Sequence, residues 1–226
     1  MSDTLHIGLL IYPDVTQLDA TGPAQIFARV PRAKVHMVWK TLDPVPTDAG
    51  FSIVPTDTFE TCPKLDVICV PGGAGQVPLM TDAATLAFLR RQAETARYVT
   101  SVCTGSLVLA AAGLLDGYRS ACHWAWRDLL RPLGAEPDAA RVVRDRNRFS
   151  GGGVTAGIDF ALTIAAELAG EEVAKTIQLA MEYAPAPPFQ CGTPELAGPE
   201  RVARFREAMA PMLQRRQAIV ESIARR

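Results

Sequence analysis

The 226-residue chain carries 23 Lys and Arg against 24 Asp and Glu, a net charge of −1, with 48% hydrophobic and 21% charged residues. That balance fits a globular chain with a sizeable core, and no overall field draws it to nucleic acid or membrane. The five cysteines (62, 69, 103, 122 and 191) are odd in number and form no CxxC pair. They argue against a disulfide framework or a structural zinc site, and for a reducing compartment.

The opening MSDTLHIGLLIY has no basic n-region or cleavage site, and its apolar run is too short to span a bilayer. A cytoplasmic protein is expected. Leu5 to Tyr12 reads as a buried strand broken by Pro13 and Asp14. A helix follows, with Thr21 as N-cap and Pro23 in its first turn, leaving Asp19 between strand and helix. Lys34 to Lys40 predicts a second strand, and Phe51 to Asp57 another. Leu65 to Val70 is a continuous apolar strand ending in Pro71-Gly72-Gly73, and Asp82 to Ala96 has helical periodicity.

Tyr98 to Val102 reads as a buried strand and Leu107 to Leu115 as a buried helix, with Cys103-Thr104-Gly105-Ser106 at the corner. Gly113 and Gly117 mark the exit. Tyr118 to His123 predicts a strand and Trp124 to Leu133 a short helix. Arg141 to Arg144 and Arg148 to Ser150 flank a hairpin-like turn. Gly151-Gly152-Gly153 leads into a helix over Thr155 to Ala169, a second helix spans Glu171 to Tyr183, and APAPPF at 184–189 is a rigid loop. The chain from Pro199 onward is again helical. Alternating strands and helices predict an α/β fold, a mainly parallel sheet covered on both faces. The expected division is an α/β domain over 1–190, with a loop and helix over 191–226 that pack on it or extend it.

A thiol between a strand and a helix has the geometry of a nucleophile elbow, where helix N–H groups and dipole favour thiolate. The plainer reading makes Cys103 one more buried cysteine. Gly72-Gly73 allows close backbone approach and could aim N–H donors at the sulfur alongside that of Thr104, or could be an ordinary turn. Asp19 lies at the carboxyl edge of the sheet, where open α/β folds bind ligands. It is either a solvated loop acid or the proton partner of Cys103, sharing one proton with it. His123 reads as structural unless it reaches Cys103. Three histidines without a neighbouring pattern make a metal site unexpected. Seven arginines against three glutamates from Pro199 onward read as a solvated helix face.

VPGG at 70–73, TSVCTGSLVLAAAGLL at 100–115, CHW at 122–124 and GGGVTAGIDFAL at 151–162 resemble the PfpI/ThiJ superfamily. LDATGP at 18–23 and EYAPAPPF at 182–189 extend the resemblance over essentially the whole chain. It implies the class I glutamine amidotransferase-like fold, a flavodoxin-like sandwich. Within that superfamily the chain is most similar to the isocyanide hydratase branch, with aspartate where many relatives have glutamate and threonine after the cysteine. By that resemblance Cys103 is the nucleophile and Asp19 its acid/base partner. Thr104 supports through its hydroxyl and N–H, and Gly73 supplies another backbone donor. Peptidase relatives carry histidine after the cysteine; Thr104 stands there instead, and Cys122 also departs from the usual pattern. The implied activity is a lyase reaction needing no metal or cofactor, hydration of a small neutral isocyanide through a thioimidate, in a homodimer.

Two other readings remain. A non-enzymatic redox or ligand sensor would relate the chain to the N-terminal domain of AraC-type regulators, although the tail after Phe189 is too short for their two helix-turn-helix units. A glyoxalase- or deglycase-like enzyme acting on small aldehydes is the other.

Overall fold

The computed structural model describes residues 4–225; residues 1–3 and Arg226, the ends of the expected 1–190 and 191–226 segments, lie outside them. The strands are β1 (Leu5–Leu10), β2 (Ala33–Trp39), β3 (Val45–Pro46), β4 (Ser52–Ile53), β5 (Asp57–Thr58), β6 (Val67–Val70), β7 (Tyr98–Val102), β8 (Arg119–Ser120), β9 (Glu136–Pro137), β10 (Val142–Asp145) and β11 (Arg148–Gly151). The helices are α1 (Gln17–Phe27), α2 (Gln76–Leu79), α3 (Ala83–Ala93), α4 (Gly105–Ala111), α5 (Ala156–Ala169), α6 (Glu171–Ala180), α7 (Pro194–Ala197), α8 (Pro199–Ala208) and α9 (Ala210–Ala224).

A seven-stranded sheet runs β10-β11-β7-β6-β1-β2-β5. It is parallel except for β10, which pairs antiparallel with β11 across the expected hairpin. Continuous apolar strands give both sheet faces a hydrophobic lining. Ile7, Leu9, Val67 and Val102 meet Ile26, Phe27, Phe160 and Ile164 of α1 and α5 on one face. Leu10, Ile68, Val70 and Val99 meet Phe88, Leu89, Leu107 and Val108 of α3 and α4 on the other, joined there by Val220 of α9. Each fully buried Leu, Ile or Phe contributes ~1.5–3 kcal/mol. The sheet is thereby held rigid under the loops at its carboxyl edge.

Several elements depart from the sequence expectations. α1 starts after Thr16 rather than Thr21, because Val15 bridges Gly73 and the Thr16 N–H donates to Gly72 O at 2.9 Å. Thr21 lies one turn inside, its hydroxyl donating to Gln17 O, and Pro23 stands in the helix interior. Phe51–Asp57 splits between β4, hairpinned to β3, and the sheet-edge β5. Tyr118–His123 keeps only β8, paired outside the main sheet with β9. The helix after Trp124 is a 3-10 helix over Arg127–Leu133. α4 begins two residues before its expected start and ends at Ala111, where Gly113 (φ 75°) turns the chain away. The C-terminal helix breaks at Met209; Pro211, with no N–H to donate, sits in the first turn of α9.

Candidate active site

The corner between β7 and α4 has the backbone of an elbow. Cys103 has φ 55°, the left-handed region that costs a non-glycine residue strain, and its N–H donates to Gly151 O at 2.9 Å. The strain falls on the cysteine itself, and Gly105 serves a different end from conformational freedom. A Cβ at Gly105 would lie 1.8 Å from Val70 O, so only glycine lets the start of α4 pack against the end of β6. Ser106 closes the turn, its hydroxyl donating to Cys103 O at 3.1 Å.

The structure brings Asp19, Thr104 and the Gly72-Gly73 loop to this corner. Asp19 lies in the first turn of α1, fully buried, and its Oδ2 accepts the Gly72 N–H at 2.9 Å. Its other oxygen has no hydrogen-bond partner meeting ordinary geometry, and the carboxyl lies beside the Cys103 thiol. Burial pushes the Asp19 carboxyl up to about 7 against the hydrogen bonds from Gly72 and Cys103. Burial first, then the Asp19 charge and Cys122, raises the Cys103 thiol well above its ordinary value. The N–H of Thr104 and the charge of Arg216 oppose that rise and lose. The sulfur of the pair therefore rests as a thiol, and the carboxyl beside it gives up its proton at about pH 7; the helix terminus alone does not make a thiolate here.

The Gly73 N–H is not free for an oxyanion. It donates to Thr104 Oγ1 at 3.1 Å, just as the Gly72 N–H is taken by Asp19. The loop holds the acid and the threonine hydroxyl rather than reaching past them. A hydroxyl that accepts in this way keeps its own proton to donate. Gly72 is required by close packing: a Cβ there would lie 2.6 Å from Thr104 N, 2.8 Å from Thr104 Oγ1 and 2.9 Å from Asp19 Oδ2. Its absence leaves a small space bounded by the acid, the hydroxyl and the amide.

His123 does not join this group. Its ring lies among Trp124, Trp126 and Phe205, its Nδ1 accepts the Ala125 N–H, and burial, then Arg216, lowers it to about 4. It is a neutral aromatic-cluster residue at pH 7. Cys122 is buried beside Ser106, and burial raises its thiol to about 11. All five cysteines are free. A cavity of about 320 Å³ runs past Cys122, His123, Gly152 and Thr155, adjoining Gly151, the hydrogen-bond partner of Cys103. A larger one of about 560 Å³ lies between the 3-10 helix and α9, over Trp126 and Leu213, and includes none of the elbow residues. Among the described residues no group of three His, Cys, Asp or Glu is placed to hold a metal ion. No described helix is long and apolar enough to cross a membrane.

Two residues of the site escape the sequence reading. Tyr12, fully buried at the end of β1, donates its hydroxyl to Pro71 O at 2.7 Å and faces Asp19 and Cys103. Arg216 of α9 is buried, not solvated, and donates to Gly73 O at 3.1 Å. One signal for it was present: Leu213, Arg216, Val220 and Ile223 recur at helical spacing, placing the arginine in an apolar stripe.

Comparisons with known proteins find the same family and fold. The DJ-1/PfpI family model matches residues 6–167. An isonitrile hydratase of Pseudomonas putida is 58% identical over 97% of this chain and 96% of its own. A solved ThiJ/PfpI family protein from Pseudomonas syringae superposes with a TM-score of 0.94 at 46% identity, covering 96% of this chain and 91% of the other. The HTH-type transcriptional regulator GbdR of Pseudomonas aeruginosa is 36% identical over 57% of this chain, but over only 35% of its own length.

Proposed function

The chain belongs to the DJ-1/PfpI family, and from that premise we propose that it adds water to an isocyanide to give an N-substituted formamide. One observation carries the reading: 58% identity along nearly the whole of both chains to an isonitrile hydratase, isonitrile being another word for isocyanide. The regulator matches less of this chain at lower identity, 36% over 57% against 58% over 97%, which favours the enzyme over the sensor.

The buried site suits such a substrate. An isocyanide, R–N≡C, is neutral and linear, so it enters a buried site without a desolvated charge. Its terminal carbon must gain a nucleophile and a proton. Cys103 sulfur attacks that carbon while the proton shared with Asp19 is delivered to it, giving a thioimidate, S–CH=N–R, and an Asp19 carboxylate. The carboxylate then takes a proton from water as the hydroxide adds to the carbon, and passes that proton to the nitrogen. Collapse breaks the C–S bond, forms the carbonyl and returns the proton to the Cys103–Asp19 pair. The hydroxyl and N–H of Thr104 steady the nitrogen and, later, the oxygen. Gly73 acts one step back, by fixing the Thr104 hydroxyl.

In this reading 191–226 belongs with the catalytic domain 1–190, since α9 reaches the glycine loop. A homodimer in a reducing cytoplasm completes the proposal; five free cysteines and exposed Leu179 and Phe189 support it, and sedimentation tests the dimer. The central test is formamide production from a simple alkyl isocyanide. Wild-type protein should form it and Cys103→Ala should not. Formamide from the alanine variant, or methylglyoxal consumption exceeding isocyanide turnover, would overturn the proposal.

A further inference from the structure

Arg216 is a cation in a position that ordinarily excludes one. It is 3% exposed, its Nε has no hydrogen-bond partner, and its guanidinium lies over the Trp126 ring at 4.3 Å from the centroid. Among the described residues the ion pairs of Lys and Arg involve other side chains, and no carboxylate partners Arg216. A buried guanidinium cannot shed its proton, so its burial is costly unless dipoles or an anion answer the charge. The answering groups are the face of Trp126 and the Gly73 carbonyl, which accepts from Nη2 at 3.1 Å. Beyond them lie three groups able to become anions: Cys103, Cys122 and Tyr12.

The carbonyl that Arg216 holds belongs to the loop that organises the site. Gly72 N–H holds Asp19 and Gly73 N–H holds the Thr104 hydroxyl. One contact from α9 thus fixes the supports of two site residues, and it comes from beyond residue 167, where the family match ends. We propose that Arg216 is a positioning residue of the Cys103 site, pinning the Gly72-Gly73 loop and supplying the positive charge against which the Cys103 sulfur becomes an anion.

The sulfur is faced by Asp19 from α1, Tyr12 from the end of β1, Cys122 from the segment after β8 and the Thr104 N–H at the start of α4. His123, the nearest other titratable ring, is neutral, and Arg127 of the 3-10 helix acts on Cys122. Asp128 of that helix, Arg206 of α8 and Glu221 line the cavity between these elements and α9, and none pairs with Arg216. Arg216 is thus the cation on Cys103 itself.

The role rests on the proposed chemistry at Cys103, yet the measurement that decides it needs no isocyanide. Alkylation of Cys103 by iodoacetamide is followed across pH by peptide mass spectrometry in wild type, R216M and R216K, with folding checked by circular dichroism. R216M should raise the pH midpoint of Cys103 alkylation by at least about one unit, slowing the reaction at pH 7 about tenfold. R216K keeps the charge but not the planar fork; it should restore the midpoint while kcat for an isocyanide stays below wild type. If R216M does not fold, R216Q carries the same comparison, because it keeps an amide donor for Gly73 O without charge. An unchanged midpoint in a folded, uncharged variant overturns the proposal, whether or not the chain hydrates isocyanides.

Discussion

Gly72 donates its N–H to Asp19 Oδ2 at 2.9 Å, and a methyl group on the same residue would lie 2.9 Å from that oxygen. The loop holds the acid and leaves space beside it, and both depend on glycine. Gly72→Ala must move Asp19 or Thr104, or fill the space between them. Overpacking of this kind costs about 1–3 kcal/mol of stability, and ~1 Å of misplacement in a site costs ~10²-fold in rate. Thermal melts and kcat on one preparation check both numbers. An alanine variant with wild-type turnover would show that this space is not used.

Burial of Asp19 has a consequence for stability. The folded carboxyl keeps its proton up to about pH 7, against an ordinary value of 3.8. Between those values the native state binds a proton that the unfolded chain has lost. The contribution is fully present below about pH 4, is lost as pH rises through about 7, and then stays level. Asp19→Asn removes the titration. It should flatten this part of the stability curve and stabilise the protein at pH 8 by an amount on the order of 2–4 kcal/mol. Turnover should fall by ~10²–10⁴-fold with loss of the proton donor. Urea melts at pH 4, 6 and 8 provide the comparison.

In the proposed mechanism the same pair sets the pH profile of catalysis. The Cys103–Asp19 pair acts with one proton, so kcat/KM should rise as pH passes about 7, where Asp19 gives up its proton. The next loss belongs to a thiol raised well above its ordinary value of 9.0. No decline is therefore expected up to pH 9. Activity falling through pH 7 would contradict the assignment.

His123 is predicted to contribute no inflection. With its ring held at about 4 by burial and Arg216, it stays neutral from pH 5 to 8, and His123→Gln should leave the shape of the profile unchanged over that range. A lost or displaced limb in the glutamine variant would bring His123 into the chemistry.

The glycines near the site separate by packing. Gly105→Ala brings a Cβ to 1.8 Å from Val70 O, a backbone atom that cannot turn aside. It should cost at least about 3 kcal/mol or prevent folding. Gly153→Ala meets nothing within 4 Å and should change stability by no more than about 0.5 kcal/mol. Melting temperatures of the two variants decide the point.

The sequence by itself determined the scaffold and the place of Cys103 at a strand–helix corner. Runs such as Val67–Val70 and Tyr98–Val102, bounded by turns, fit strands of a parallel sheet covered on both faces, and strand, Cys103 and helix are contiguous, so the elbow is a local pattern. What the neighbours do was decided only in three dimensions. The start of α1, and with it the burial of Asp19, depends on Val15 and Thr16 meeting a glycine loop more than fifty residues away. The Gly72 and Gly73 N–H groups look free in sequence and are taken in the fold, by Asp19 and Thr104. Burial outweighs the helix terminus at Cys103, because desolvation depends on everything packed around a thiol and a helix N–H on only one neighbour. Arg216 is the extreme case: one of seven arginines in a basic tail, it reaches the site because α9 folds back over Trp126 and Gly73.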